Sequence, residues 1–528
     1  MLGLWEMQFR SSVTKHERLG SDTFGLFVQL DVWPIPVMQS TDLHSWSTKY
    51  GENQPLFAAH HDRPDHFGTF SEHTESFETV SAESLDMHRN APTGADLINE
   101  SDPNGFEEMK STLLERWCPA GGFWSAVVGL LTTAVTPAVL SLPLAVSMAG
   151  LLFAAVMMSV CVVMTLLSVR YIAMAAVCSK EADYSFVVAY FLGTRARSFV
   201  LNVLVFSNFG SGVVNLRFIL ENFHSMLTHF SVKEAWPLSF IGLCGICVCL
   251  LPLMFRSRIS SLKTAGFVSD FAVLCIAGVV IYEYFLSRVV QFDTGHAQAE
   301  FAEDDSPQKS TVHSSHFVTL LFVAPIYIFS YEVQSNVLSV IEDLDHPTQG
   351  KIALIVTAAM MIATTLYMLI GAFGAMTFPP GAPVGGNVLK SYPVQDVPLL
   401  FSQVLCLFAS SVAFLFTMFP CRYAIHSALW SRGRIPAARR AQISLFLCVA
   451  GCLTALLVPD VAVAVSWIGA LCSSTLSMTI PALLAFKMRA SSGVCQGWYE
   501  PILASALLIG GLGMAILGTT RLLWAPEM

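Results

Sequence analysis

Charge is what this sequence has least of. Only 13% of its 528 residues are charged, 54% are hydrophobic and the mean hydropathy is +0.59, whereas a soluble domain carries about 25% charged residues. A cytosolic enzyme of several domains, which needs a polar skin around each core, is excluded. So are a wholly disordered chain, collagen and a small disulfide scaffold. A basic region leading into a clean apolar stretch is missing from the start, so no cleavable signal peptide is expected. There is no Gly-x-x-x-x-Gly-Lys-Ser/Thr sequence to serve an ATP-driven pump, and no ring of like charges or potassium-filter sequence to serve a channel. The clustered His or paired Asp of an intramembrane enzyme are also lacking. What remains is an all-α polytopic membrane protein with no catalytic role.

Two physically different objects are joined in it. Residues 1–118 carry 19 Asp+Glu against 8 Lys+Arg, while 119–528 carry 19 against 21, so the net charge of −9 resides in the first segment. That segment has no run of about 18 apolar residues to cross a bilayer. Its Ser, Thr, Glu, His and Asp lack periodicity, which predicts a mostly disordered acidic region. The run His60-His61-Asp62-Arg63-Pro64-Asp65-His66 matches no standard metal-ligand spacing and reads as a solvated loop. A short amphipathic helix is expected over Asn104–Trp117.

Past Gly121 the apolar runs fit a bilayer. Eleven spans are expected, at about 122–149, 152–178, 198–223, 237–255, 264–286, 316–340, 351–377, 398–427, 441–458, 461–486 and 499–521. With the N-terminus inside, cytoplasmic loops hold 13 Lys and Arg and the opposite loops hold 4, a positive-inside bias that puts the N-terminus in the cytoplasm. None of the 13 cysteines falls in the three longer outer loops, so no outer disulfide is expected. Cys244, Cys247 and Cys249 lie in an apolar span without His or carboxylate partners and read as packing residues.

Function in a helical bundle sits where backbone or charge departs from what lipid tolerates. The first span reads Gly129-Leu-Leu-Thr132-Thr133-Ala-Val-Thr136-Pro137-Ala-Val-Leu-Ser141-Leu-Pro143. Two prolines at mid-span interrupt the hydrogen-bond ladder, and the freed carbonyls must line a cavity or find protein partners. A plain kink satisfied by the Thr hydroxyls is the competing reading. The sixth span reads Val323-Ala-Pro325-Ile-Tyr327-Ile-Phe-Ser330-Tyr331-Glu332-Val-Gln334-Ser335-Asn336, a proline followed by a polar string. Interrupted helices at matching places in two five-helix halves point to an inverted-repeat secondary transporter that binds its solute between them.

Other intramembrane polar groups fall along the same path. Arg217 and Glu221 stand four apart and can neutralise each other. Asp270, two turns into span 5, and Glu332 in span 6 are candidates for coupling to an ion. Asp270 could instead be hydrated at the cytoplasmic interface. Ser410 and Ser411 in span 8 offer hydroxyl oxygens of the kind a sodium ion takes, or serve as a close-packing device.

At these residues the sequence resembles the amino acid/auxin permease family, closest to its sodium-coupled neutral amino acid transporter branch. Four blocks, in order, carry the resemblance from about 120 to the C-terminus. They are Thr132–Gly150, with Leu140-Ser-Leu-Pro143; Leu251-Pro-Leu-Met-Phe-Arg256 with Ser261-Leu262; Ala324-Pro325 through Tyr331 to Glu342-Asp343-Leu344; and Phe373-Gly374-Ala-Met-Thr-Phe378 through Asn387–Tyr392 and Asp396 to Phe419-Pro420-Cys-Arg422. The resemblance implies a LeuT-like fold, a 5+5 inverted repeat plus one extra helix, and symport of small neutral amino acids driven by Na+ or H+. Carried over by position, Thr132 stands for a sodium-contacting Asn and Ser411, beside Ser410, for the helix-8 sodium hydroxyl. The family's Gly-small-Gly carboxylate cradle reads Thr136-Pro137-Ala138 here, and its helix-6 polar position, often His, is Gln334. The expected substrate site is therefore Thr133, Thr136, Ala138, Phe329, Ser330, Tyr331 and Gln334, with Thr132, Ser410, Ser411, Asp270 and Glu332 for the ion. The altered cradle leaves one alternative open: an amino acid sensor of the same fold, signalling through a cytoplasmic partner of residues 1–118. A plasma membrane and a vacuolar or endolysosomal membrane fit the sequence equally.

Overall fold

Inside a bilayer every backbone N–H and C=O must be satisfied within the protein, so a chain of this hydropathy has to solve its hydrogen bonding with helices. The structure, a computed structural model, describes residues 122–230, 235–256, 263–294, 316–344, 347–379, 384–392, 397–430, 435–491 and 497–524. The expected helix over Asn104–Trp117 and the histidine-containing run lie outside these residues. Among the described residues, ten helices are long and apolar enough to cross a membrane, and a further pair of helices bent by 49° forms an eleventh span.

Span 1 is that bent pair: helix Phe123–Ala134, an extended step at Val135 and Thr136, a 3-10 turn Pro137–Ser141 and helix Leu142–Ala149. Gly150, at φ +88°, turns the chain directly into span 2, Leu151–Ser179; the positive φ explains why glycine closes this hairpin. A short helix over Tyr184–Leu192, absent from the sequence expectation, follows. Asp183 caps it by accepting from the Ser185 and Phe186 N–H groups at 2.8 and 3.2 Å. Span 3, Thr194–His229, is longer at both ends than its apolar core suggested. Then come span 4 (Ala235–Met254), span 5 (Lys263–Thr294) and span 6, made of His316–Ser330 and Gln334–Glu342. Span 7 (Gln349–Met376), span 8 (Val397–Leu429), span 9 (Ala437–Leu457), span 10 (Val461 to Ser491) and span 11 (Glu500 to Trp524) complete the bundle.

Two apolar cores organise these helices. One gathers spans 1, 2, 5, 6, 7 and 10. The other lies between spans 3, 4, 8 and 9, with spans 3 and 8 contributing to both. The outside is studded with exposed Leu152, Ile241, Phe446 and Ile509, a surface that water would not tolerate but lipid tails do.

Spans 10 and 11 carry wide π turns at Gly469–Ser473, Thr475–Thr479 and Met514–Gly518, the kind of local widening that collects at functional positions. They coincide with tight packing against span 6. A Cβ on Gly469 would fall 2.0 Å from the Pro325 carbonyl oxygen, and one on Gly518 would meet Ala470 at 2.9 Å. Since the obstacle at Gly469 is backbone, Gly469→Val should destabilise the protein by about 1–3 kcal/mol or more. Its thermal unfolding midpoint in detergent checks this, and a variant as stable as the parent would show that the approach of spans 6 and 10 is wrong.

Candidate functional site

The first half of span 1 ends at Ala134 and the first half of span 6 ends at Ser330, leaving carbonyls without helical partners. Both meet one side chain. The Tyr367 hydroxyl, fully buried on span 7, lies 2.7 Å from the Ala134 oxygen and 2.9 Å from the Ser330 oxygen, sharing its proton between them. The two breaks are therefore neighbours, as the matching interruptions suggested. The plain-kink reading of span 1 fails. Thr133 donates back to Leu130 at 2.8 Å, and the Thr132 hydroxyl, 3.0 Å from the Val128 oxygen, shares its one proton between that carbonyl and Asp270, away from the break, so the hydroxyl that closes it comes from another helix.

The break in span 6 is not at its proline. The helix runs through Pro325 to Ser330, and regularity is lost at Tyr331, Glu332 and Val333. The Tyr331 carbonyl accepts from Thr165 of span 2 at 3.2 Å, and the Tyr331 hydroxyl donates to Thr364 of span 7 at 2.8 Å. The second half of span 6 starts at Gln334, whose side-chain oxygen accepts from the Val333 N–H at 2.9 Å; its Nε2 is buried with no hydrogen-bond partner among the described residues. Glu332 sits in the gap. Its carboxylate accepts from Ser207 of span 3, 3.3 Å from each oxygen, and from Ser473 in the first π turn of span 10. Phe329 is partly buried, and Ser330 turns its own hydroxyl back to Ile326 at 2.9 Å.

The sequence placed Pro137 where a cradle N–H was expected. In the structure Pro137 is the first residue of the 3-10 turn, with Thr136 extended before it. A first helical residue has no intrahelical use for its N–H, so proline is suited to that position. The N–H of buried Ala138 is left as the first donor of that end.

Thr132 and Asp270 come together. The Thr132 hydroxyl is 2.7 Å from Asp270 Oδ2, joining the end of the first half of span 1 to span 5. Oδ1 of Asp270 is buried with no partner among the described residues, while the residue as a whole is half-buried. Gly266 allows the approach, since a Cβ there would press on Thr132 Cγ2 at 2.7 Å. Ser410 and Ser411 show contacts only within their own helix: Ser411 donates to Leu407 at 2.8 Å and Ser410 lies 3.9 Å from Cys406 Sγ. The structure thus brings Ala134, Ser330, Tyr331 and Gln334 around the paired breaks, and Thr132 to Asp270 beside them, while no hydrogen bond among the described residues joins Ser410 or Ser411 to either.

Tyr367, Thr165, Thr364, Ser207 and Ser473 escaped sequence reasoning because single hydroxyls in apolar helices carry no spacing signal. Arg170 did carry one: an arginine inside span 2 demands a partner. It has one in Glu500, at 2.6 Å, with the Tyr171 hydroxyl donating to the other oxygen at 2.8 Å. Arg217 and Glu221 pair as expected, at 3.1 Å, and Arg217 also donates to the Pro459 carbonyl at 3.0 Å. The segment between spans 7 and 8 closes over this end. Ser141 donates to the Gly386 carbonyl at 2.7 Å, and Lys390 reaches Glu221 at 3.5 Å.

Removing the Tyr367 hydroxyl tests the site's central contact. Tyr367→Phe takes the hydroxyl donor from the buried Ser330 carbonyl and leaves the Ala134 carbonyl only the Thr136 N–H at 3.0 Å, which costs about 1–3 kcal/mol, and the thermal midpoint in detergent should fall accordingly. A midpoint equal to that of the parent would mean that the breaks are closed by something else.

Residues 119–523 match the family model for transmembrane amino acid transporter proteins. The chain belongs to that family. Among curated members, human solute carrier family 38 member 10 is 21% identical over 421 residues, 77% of this chain and 35% of its own length. The vacuolar amino acid transporter 5 of Schizosaccharomyces pombe is 21% identical over 430 residues, 79% of this chain and 96% of its own length. The chain spans little more than a third of the human relative and of its rat counterpart, at 35% and 36%. Among solved structures, a Na+-coupled sialic acid symporter aligns with a TM-score of 0.47 at 13% identity, covering 78% of this chain and 92% of its own. Membership in this family accounts for the polytopic helices.

Proposed function

We propose that the chain is a secondary active carrier of small neutral amino acids, driven by a Na+ or H+ gradient through alternating access. The observation that carries this reading is the Tyr367 hydroxyl bridging the ends of two broken helices, at 2.7 and 2.9 Å. Broken spans put opposite partial charges at one depth: carbonyl ends suit an ammonium group, and N–H ends suit a carboxylate. The carbonyls of Ala134 and Ser330 stand on one side, and the amide ends beginning at Ala138 and Gln334 on the other. A small zwitterion matches that pattern. Thr133, Thr136, Phe329 and Tyr331 stand at the same two breaks and would complete the surroundings.

The coupling ion fits best beside Thr132 and Asp270. Sodium is a hard cation that takes oxygens, and a carboxylate, a hydroxyl and carbonyls at a helix break supply them. A proton would need only the Asp270 carboxylate. Glu332, held by hydroxyls from spans 3 and 10, is the second coupling candidate because it sits in the gap of span 6 itself. Ser410 and Ser411 would join a sodium site only after a shift of span 8.

In this reading spans 1–5 and 6–10 form the inverted repeat and span 11 is additional. Residues 119–528 form the transporter domain, and residues 1–118, which lie outside the described residues, form a separate cytoplasmic segment. The positive-inside count supports a cytoplasmic N-terminus, and Lys390 with Glu221 then closes the outer side. Between a plasma membrane and a vacuolar or endolysosomal one, the name of the fission-yeast relative favours the latter.

The test is uptake of radiolabelled amino acids by proteoliposomes holding the full chain, with and without sodium and pH gradients. Accumulation that collapses with one gradient is expected. No exchange of any amino acid under either gradient would end the carrier reading.

A further inference from the structure

Spans 4 and 9 hold a cluster that the transport reading leaves unused. Cys247 on span 4 faces Cys448 and Cys452, one turn apart on span 9. The three thiols are buried, and their sulfur atoms lie within 4.8 Å of one another. Cys247 Sγ is 3.3 Å from Cys452 Sγ. We propose that this cluster binds a soft, closed-shell metal ion of the Zn(II) or Cu(I) class between spans 4 and 9.

Spacing is the first argument. A zinc–sulfur bond is about 2.3 Å, so sulfurs around one ion stand about 3.8 Å apart in a tetrahedron and about 4.0 Å apart in a triangle. The 3.3 Å between Cys247 and Cys452, in a group that all lies within 4.8 Å, is within about half an ångström of the tetrahedral value. A disulfide would need about 2.05 Å and would employ only two of the three. Donor type is the second. The walls are Leu243, Leu250, Leu447 and Ala455, which offer no hard oxygen, and sulfur donors in apolar surroundings select soft ions.

Charge balance fixes the protonation. A net charge at this depth is costly, and a neutral complex forms in either of two ways. Zn(II) with three thiols gives two thiolates, one thiol and two released protons. Cu(I) gives one thiolate, two thiols and one released proton. Cys244, one turn before Cys247 and half-buried, lies outside the group of three, so the site as it stands is three-sulfur. Cys249 is exposed and lies outside the cluster. The sequence pattern had grouped Cys247 with Cys249, but the helical turn separates them, and the true neighbours lie some two hundred residues away. An ion here would tie span 4 to span 9 inside the second core.

The experiment uses the full chain, purified in detergent under reductant, loaded in separate arms with Zn(II) or Cu(I) and desalted. Metal per chain is read by mass spectrometry, the ligand shell by X-ray absorption and stability by the thermal midpoint. About one ion per chain with a sulfur shell at about 2.3 Å is expected, with a raised midpoint, in the parent and in Cys249→Ser. Cys247→Ser and Cys452→Ser should lose the ion and the midpoint rise. Binding of neither ion, or equal binding by Cys247→Ser, Cys452→Ser and the parent, would overturn the proposal. Should those variants fail to fold, a parent-protein shell of oxygen or nitrogen alone would do the same. None of these readouts depends on whether the chain transports amino acids.

Discussion

Glu500→Ala should lower the stability of the protein by about 3–5 kcal/mol, because it strands a buried guanidinium. Arg170 on span 2 and Glu500 in the first turn of span 11 meet at 2.6 Å with side chains only 6% and 4% exposed. The second carboxylate oxygen accepts from Tyr171 at 2.8 Å, and the guanidinium also lies 5.7 Å from the Tyr171 ring centre. The acid is further favoured by its place at a helix start. Without it Arg170 keeps its charge in apolar surroundings and has no way to shed it. The thermal midpoint of the purified protein should drop steeply. The double variant Arg170→Met with Glu500→Met should recover most of the loss, since replacing both partners by apolar groups removes the desolvation cost together with the attraction. A double variant no better than Glu500→Ala would show that the pair is needed for something besides mutual neutralisation.

Asp270→Asn is expected to cut gradient-driven uptake by about tenfold or more while leaving exchange of labelled for unlabelled substrate near the parent level. A hydrogen bond to a charged group is worth about 1.5–3 kcal/mol, which corresponds to about 10- to 150-fold in an equilibrium constant. Asn preserves the size of the side chain and its contact with Thr132 at 2.7 Å, but it can neither carry a proton nor present a full negative charge to sodium. Thr132→Val separates the two ions. It removes an oxygen that sodium would use and leaves the carboxylate for a proton, so a sodium-coupled carrier loses drive and a proton-coupled one keeps it. Thr132→Ser should restore either. Equal losses of exchange and driven uptake in Asp270→Asn would move Asp270 from the ion site to the substrate site or to the scaffold.

How much of this was legible in the sequence depends on how far apart the interacting groups lie. The interruption of span 1 was readable because its cause is local: Pro143 and Pro137 cannot donate to carbonyls four residues back. The same logic misplaced the break of span 6. Pro325 is accommodated within the helix, where its carbonyl packs against Gly469, and regularity fails six residues later, at Tyr331 to Val333. There Glu332 is drawn to Ser207 and Ser473, which belong to other spans. The Arg217–Glu221 pair, four residues apart on one helix, was foreseen and is present. Arg170 was passed over although an arginine in an apolar span announces a buried partner, and that partner proved to be 330 residues away.

From composition and pattern alone, then, came the membrane class, the number and approximate places of the spans and the broken first helix, while the family came from the resemblance of four sequence blocks. These follow from the length of apolar runs against the thickness of a bilayer and from backbone rules that act within one turn. Only the folded bundle decided that one tyrosine closes both breaks, that Thr132 meets Asp270, that Glu500 answers Arg170 and that three cysteines from two helices converge. Each of those contacts joins residues far apart along the chain, and their meeting depends on which helix faces which neighbour. Hydropathy is blind to that choice, because lipid-facing and helix-facing positions in these spans are made of the same apolar residues.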